Sequence, residues 1–227
     1  MAKPNTLSAE DHRRVIAAVG AAEARTSGEI VTVLAERSDG YSDVALAWAA
    51  AAAFLALAAL AIAPEFYMGV VERLSGGWIT EWTPRELFEL AAVVASLKFL
   101  GMLLLQLWPP LKFFLVPGPI RTARVHERAV SAFRIGAERR THGRTGILIY
   151  LSMREHRAEI LADAAIASKV SPDVWGEAMA ALLADVKAGR LADGMIAAID
   201  RVGVVLAEHF PAGSENANEL PDRLIEI

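Results

Sequence analysis

The stretch TGILIYLSMREHRAEILADAAI, residues 145–166, decides the centre of the fold. Its first part, GILIYLS, is apolar on both alternating faces, a pattern typical of a central strand covered on both sides. A second short apolar run, AEILAD, follows after a few polar residues, and the two runs predict a β-hairpin. We interpret the charged residues between them as a solvated turn, because charges at a hairpin loop need only water. These residues are Arg154, Glu155, His156 and Arg157.

The alternative for this turn is anion binding. Arg154, His156 and Arg157 offer positive charge, and anionic lipid head groups lie nearby if the domain is held close to a membrane.

A second run with both faces apolar lies near the N-terminus. GEIVTVLAE, residues 28–36, is rich in β-branched residues and predicts another central strand. A helix from Ser8 to about Arg25 precedes it, with Ser8 and Asp11 as a cap-like pair. Residues 1–43 are too few to bury a core by themselves, so this strand is expected to join a sheet that the C-terminal part supplies.

The C-terminal part reads as helix, two strands and two further helices. Val125, Ala129 and Phe133 recur at a spacing of four in a helix over about 120–140, and the last helix spans about Leu191 to His209. The expected fold class is α/β, an α/β/α sandwich with a short mixed sheet interrupted by a two-helix transmembrane hairpin. The predicted parts are the split domain 1–43 and 117–210, the hairpin 44–116 with an outer connector 64–89, and a flexible tail 211–227. Docking of Leu224 and Ile225 onto the domain is the alternative for the end of this tail.

Two apolar runs predict the transmembrane hairpin. Residues 44–63 carry no charge, and residues 90–108 carry only Lys98, so each is long enough to cross the hydrocarbon core of a bilayer. A buried helix of a soluble protein is the alternative for the first run. The second has a clear start, with Thr83 as N-cap, Pro84 after it and Glu86 at the third helical position. For Lys98 we favour snorkelling or a polar contact over a functional role.

Basic residues near the span ends predict the orientation. The connector 64–89 holds two arginines against five glutamates, whereas six lysines and arginines flank the spans on the other side. By the positive-inside rule, both termini are cytoplasmic in an integral protein of the inner (plasma) membrane. The connector aromatics are expected at the outer interface; they are Phe66, Tyr67, Trp78 and Trp82.

Composition excludes several classes of function. The chain has no cysteine, which rules out disulfides and thiolate chemistry, and its net charge of −4 gives no reason to expect nucleic acid as a partner. The five histidines lack the spacing of a metal motif. Ser42 and Ser152 lack the G-x-S-x-G context of a serine hydrolase.

Three segments together are similar to the TPM domain family. They are GEIVTVL, the stretch GRTGILIYLSMREHRAEILADAAI, and GRLADGMIAAIDRVGVVLAEHF. The resemblance covers about residues 8–43 and 120–210, with the hairpin as an insertion, and it points to a branch of bacterial membrane proteins. Other members are thylakoid-lumen proteins linked to photosystem repair and a receptor modulator in animals. The resemblance implies an α/β/α sandwich, and for some plant members calcium binding and acid-phosphatase activity.

The resemblance also suggests a cation site. Asp39 and Asp43 lie in the polar bend after the first strand, and Asp163 ends the second hairpin strand. If Ca²⁺ or Mg²⁺ is bound, these three acids are the expected ligands, projecting from strand ends on one edge of the sheet. Solvated loop acids are the alternative. Asp193 and Gly194 match a family turn, and there we favour helix capping and turn chemistry.

Two functions are compatible with these features. The first is a non-enzymatic, membrane-tethered module that binds, assembles or repairs other membrane proteins, with the lipid bilayer and those proteins as partners. The second is a metal-assisted phosphatase in which the divalent ion polarises a phosphoryl oxygen. The oligomeric state is left open.

Overall fold

Two strands buried on both faces form the centre of a mixed sheet. The computed structural model describes residues 7–74, 76, 82–136, 145–212 and 223–227. Its strands are β1 (Glu29–Ala35), β2 (Gly146–Ser152), β3 (Arg157–Ala162) and β4 (Leu224–Glu226). They lie in the order β3-β2-β1-β4; β1 is parallel to β2 and β4, and β3 is antiparallel to β2. Every residue of β1 and β2 is buried, which confirms the prediction of two central strands.

Helices make up most of the rest of the described chain. They are α1 (Ala9–Glu23), α2 (Ser42–Ile62), α3 (Pro64–Leu74), α4 (Pro84–Leu105), α5 (Pro109–Leu115), α6 (Gly118–Gly136), α7 (Ala164–Ala167), α8 (Pro172–Lys187) and α9 (Leu191–His209). The chain divides into an α/β unit, Met1–Asp39 with Gly118–Ile227, and a helical unit, Gly40–Pro117. The helix predicted to reach about residue 140 is described only to Gly136, and residues 137–144 lie outside the described residues.

Helices cover both faces of the sheet in the α/β unit. Alternate residues of β2 point to opposite sides, because successive side chains of a strand alternate. Ile147 and Ile149 enter a core with α1, α8 and α9, whereas Leu148 enters a smaller core with α6. On the α6 side, Val125, Ala129 and Phe133 are buried as their spacing predicts. The mixed α/β architecture is therefore confirmed.

The end of the chain corrects the predicted flexible tail. Within 211–227, Leu224–Glu226 form β4 alongside β1. The Ile227 amide donates to the Leu34 carbonyl at 3.0 Å, and Ile227 accepts from the Glu36 amide at 2.9 Å. A three-residue strand suffices here because β1 offers an otherwise unpaired edge, whose buried backbone groups need partners.

Two long apolar helices pack against each other in the helical unit. The Gln106 side chain donates to the carbonyl oxygen of Ala45 at 3.1 Å and joins the end of α4 to α2. Thr83 and Glu86 form the capping box that starts α4, as predicted. The two helices run slightly earlier than the predicted spans 44–63 and 90–108. Both are long and apolar enough to cross a membrane.

The remaining surfaces of these two helices are mostly open. Only 11% of the apolar window of α2 and none of that of α4 is buried. Phe54 and Leu55 on α2 and Leu97 and Leu104 on α4 expose more than half of their surface. Lys98 also lies exposed on α4, so it does not insert between the helices. A core helix of a soluble protein buries its apolar face. Within the described chain, α2 and α4 leave most of their apolar surfaces exposed.

Candidate functional site

A polar cluster lies at the carboxyl ends of β1 and β2. Because the two strands are parallel and pair Glu29 with Gly146 and Ala35 with Ser152, both end at the same edge of the sheet. Sites of α/β proteins are commonly found outside this edge. The members of the cluster are Ser38, which follows β1, Tyr150 and Ser152 at the end of β2, and Glu155 in the β2–β3 turn.

The Glu155 side chain is buried within the turn that was expected to be solvated. It is 3% exposed and accepts hydrogen bonds from the Ser38 amide at 3.1 Å and from the Ser152 hydroxyl. His156 adopts a φ of 52°, a left-handed conformation that closes the turn behind Glu155. The solvated-turn prediction is therefore wrong for Glu155, because Ser38 of the adjoining loop and Ser152 of β2 supply donors that replace water.

Backbone contacts also attach this turn to the loop after β1. The amides of Met153 and Arg154 donate to the carbonyls of Ala35 and Glu36, each at 3.0 Å. The Arg154 guanidinium lies exposed and pairs with the Glu36 carboxylate at 3.1 Å. The two connections form one hydrogen-bonded edge.

The hydroxyl groups of the cluster form a directed chain. Ser38 Oγ donates to Ser152 Oγ at 2.9 Å, and Ser152 in turn donates to Glu155. Since Ser38 has a single hydroxyl hydrogen, Tyr150 must donate at the 3.0 Å contact between Tyr150 Oη and Ser38 Oγ. The chain thus runs from a phenol through two hydroxyls to a carboxylate, an arrangement that can orient a polar group or pass a proton along it.

Burial sets the acidity of Tyr150. Removal from water raises the pKa of its phenol above the ordinary value, while the Ser38 hydrogen bond and the positive charge of Arg128 act in the opposite direction. Because desolvation is the larger effect, Tyr150 keeps its proton at neutral pH and remains a donor.

The three predicted metal ligands do not converge. Asp39 lies at the cluster edge, where the Arg124 guanidinium approaches its carboxylate at 3.1 Å. Asp163 lies at the opposite edge, because β3 is antiparallel to β2 and ends beside Gly146, whose amide donates to Asp163 at 3.2 Å. About 20 Å of strand separates these edges. Asp43 lies in the first turn of α2, in the helical unit.

The prediction that these acids share one edge is therefore wrong. In a β-hairpin the end of the second strand lies beside the start of the first, so Asp163 lies at the edge where β2 begins. Among the residues that the structure describes, no group of three or more acidic or histidine side chains could hold a metal ion.

Asp193 has a structural role near the start of α9. It lies in the first helical turn, where a carboxylate is favourable, and the Arg14 guanidinium donates to it at 2.5 Å. This hydrogen bond raises the pKa of Arg14. Gly194 follows inside α9, which begins at Leu191 as predicted.

No sequence motif identifies the Glu155 cluster. One usable signal is that Tyr150 and Ser152 lie two residues apart and therefore share a strand face, where polar groups next to an apolar run need partners. These features define a mixed α/β protein with a polar cluster at the edge of two parallel strands, joined to a pair of long apolar helices.

Among the comparisons with known proteins, one solved structure supports the mixed α/β fold. No family model matches the chain, and no curated protein matches it. It is similar to the NMR structure of the BA42 protein from the psychrophilic bacterium Bizionia argentinensis, with a TM-score of 0.57 and 19% sequence identity over the full length of both chains. At this identity the likeness concerns the fold alone.

Proposed function

We propose that the chain is a membrane-tethered α/β domain of the TPM type that binds other membrane proteins and assists their assembly or repair. The observation that carries the proposal is the pair α2 and α4, whose large apolar side chains are exposed. Such a surface is stable in hydrocarbon and costly in water. The helices serve as the tether, and the α/β unit supplies the binding surface.

The proposed orientation places α3 outside and the α/β unit in the cytoplasm. It is supported by the excess of lysine and arginine on the flanks of the two helices. Phe66 and Tyr67, which stack edge to face at 5.2 Å on α3, and Trp82 suit the outer interface. Trp78 lies outside the described residues.

Labelling of single cysteines tests this orientation, since the native chain has none. Leu74→Cys is exposed at the end of α3, and Lys187→Cys is exposed at the end of α8. We expect a membrane-impermeant maleimide to label Leu74→Cys in right-side-out vesicles and Lys187→Cys only in inverted vesicles. Labelling of Lys187→Cys from outside would reverse the orientation, and equal labelling of both positions in both preparations would contradict membrane insertion.

The proposed binding surface is the edge that carries the Glu155 cluster. Hydrogen bonds hold the β2–β3 turn to the loop after β1, so little conformational entropy is lost when a partner binds. The ion pairs Arg154–Glu36 and Arg124–Asp39 lie along this edge and offer charges of both signs. The loop of residues 36–41, which contributes Ser38 to this edge, connects β1 directly to α2.

Photocrosslinking from this edge tests the binding function. A thiol-reactive benzophenone is attached to Arg154→Cys, and Lys187→Cys at the end of α8 is the matched control. In native membranes we expect Arg154→Cys to give the same discrete adducts with other membrane proteins in every preparation, and Lys187→Cys to give none of them. Identical adducts from both positions, or none from Arg154→Cys, would count against a binding module that uses this edge.

The metal-assisted phosphatase was the alternative expected from the sequence. It needed Asp39, Asp43 and Asp163 around one ion, and the sheet places Asp39 and Asp163 at opposite edges. Asp39 and Asp163 therefore cannot bind the same ion. Release of phosphate from p-nitrophenyl phosphate by the purified chain with Ca²⁺ or Mg²⁺, undiminished in Asp163→Asn, would revive phosphatase activity at a different site.

A further inference from the structure

One face of the sheet is only partly covered within the described α/β unit. α6 packs over β3 and β2, and the outer sides of β1 and β4 are left beside it as a groove. Val31 and Val33 form the floor, with Ala132 of α6 on one wall and Ile225 of β4 on the other. The groove has a volume of about 370 Å³, within the range of small-molecule sites. Its rim includes Ile135, which is 71% exposed.

Two arginines line this apolar groove from opposite sides. Arg128 comes from α6 and Arg223 directly precedes β4, and both are exposed. Within the described residues, neither guanidinium group takes part in an ion pair. The acidic residue of β4, Glu226, lies on the other side of the sheet, where it approaches His12 at 3.7 Å. The described lining is therefore apolar and positively charged.

This combination selects for one kind of ligand. An apolar floor favours a hydrocarbon chain, and a guanidinium group on each side of it favours a carboxylate or phosphate, to which arginine can donate two parallel hydrogen bonds. We infer that the groove binds a single-chain lipid, with its acyl chain over Val31 and Val33 and its anionic head group between Arg128 and Arg223. The groove belongs to the α/β unit alone, so this inference does not depend on the proposed tethering or on partner binding.

Photolabelling of the full-length chain in a neutral maltoside detergent tests the inference, with a diazirine derivative of palmitic acid as the probe. We expect mass spectrometry to locate labels at residues 131–136 and 225–227.

Replacement of both arginines, Arg128→Gln with Arg223→Gln, should weaken the apparent affinity for the probe roughly tenfold, as expected for the loss of charged hydrogen bonds. Ala132→Phe should reduce labelling by filling the groove. Arg134→Gln, an exposed arginine on the same helix that does not line the groove, is the matched control and should label normally.

Competition identifies the part of the ligand that is recognised. Unlabelled palmitate should suppress labelling, whereas the uncharged hexadecanol and inorganic phosphate should each fail at the same concentration. Labels confined to the apolar helices 42–62 and 84–105 would contradict lipid binding in the groove without contradicting the proposed membrane tether. Equal suppression by hexadecanol would overturn the role of the arginines, and suppression by phosphate alone would overturn the lipid. Because the paired arginine variant changes only exposed side chains, it remains informative if Ala132→Phe fails to fold.

Discussion

Replacement of Gly194 by alanine is expected to lower the free energy of unfolding of the α/β unit by about 1–2 kcal/mol. Alanine normally stabilises a helix relative to glycine by about 0.5–1 kcal/mol. At this position, however, an added Cβ would lie 2.8 Å from the carbonyl oxygen of Leu182 and 3.1 Å from the Cβ of Asp185. The carbonyl belongs to the backbone of α8 and cannot rotate away, so α8 and α9 must separate. Overpacking of this kind typically costs about 1–3 kcal/mol, which exceeds the gain in helix propensity.

Gly176→Ala is the matched control for this prediction. Gly176 is exposed in α8, and an added Cβ there would meet nothing within 4 Å. The same substitution should therefore stabilise the unit by about 0.5–1 kcal/mol. The measurement is native-state hydrogen exchange of the β2 amides, which reports opening of the α/β unit without contributions from α2 and α4. Effects of the same sign for the two variants would contradict the close packing of α8 on α9.

The centre of the fold could be predicted because its signals are local. GILIYLS and EIVTVL carry apolar residues on both alternating faces, as a strand covered on both sides requires, and both strands are found fully buried. The start of α4 was equally clear, since the capping box of Thr83 and Glu86 satisfies the first amides of the helix. Each of these signals depends on neighbours in sequence and so needs no knowledge of tertiary contacts.

The candidate site could not be predicted in the same way. Glu155 is buried because the loop after β1, more than a hundred residues earlier in the chain, supplies the Ser38 amide. A charged residue in a turn gives no sign of such a distant donor. Docking of Leu224 and Ile225 was the alternative for the tail, but the strand that they form in β4 was not expected, because three residues at the end of a polar tail have no periodicity to recognise. The placement of Asp163 was a different error, because the predicted hairpin already implied that β3 ends at the opposite edge from Asp39.

Loss of the Glu155 carboxylate is expected to cost about 2–3 kcal/mol of unfolding free energy. In Glu155→Ala, the Ser38 amide and the Ser152 hydroxyl lose a buried acceptor, and each unsatisfied buried group typically costs about 1–3 kcal/mol. Ser38 is half-buried, so water compensates part of its loss. Glu155→Gln keeps the shape and one acceptor oxygen and should cost about 1 kcal/mol, roughly the net worth of one hydrogen bond.

Hydrogen exchange separates this effect on the edge from an effect on the whole unit. In Glu155→Ala the amides of residues 36–38 and 153–156 should exchange faster than in Glu155→Gln, because the turn no longer holds the loop after β1. The crosslinks proposed for Arg154→Cys should weaken in the same variant, since a mobile edge must lose more conformational entropy when it binds a partner. If Glu155→Ala were as stable as Glu155→Gln and its edge amides remained protected, the backbone bonds of Met153 and Arg154 would suffice to order this edge. The buried carboxylate would then have to be explained by the group that it orients rather than by the stability that it confers.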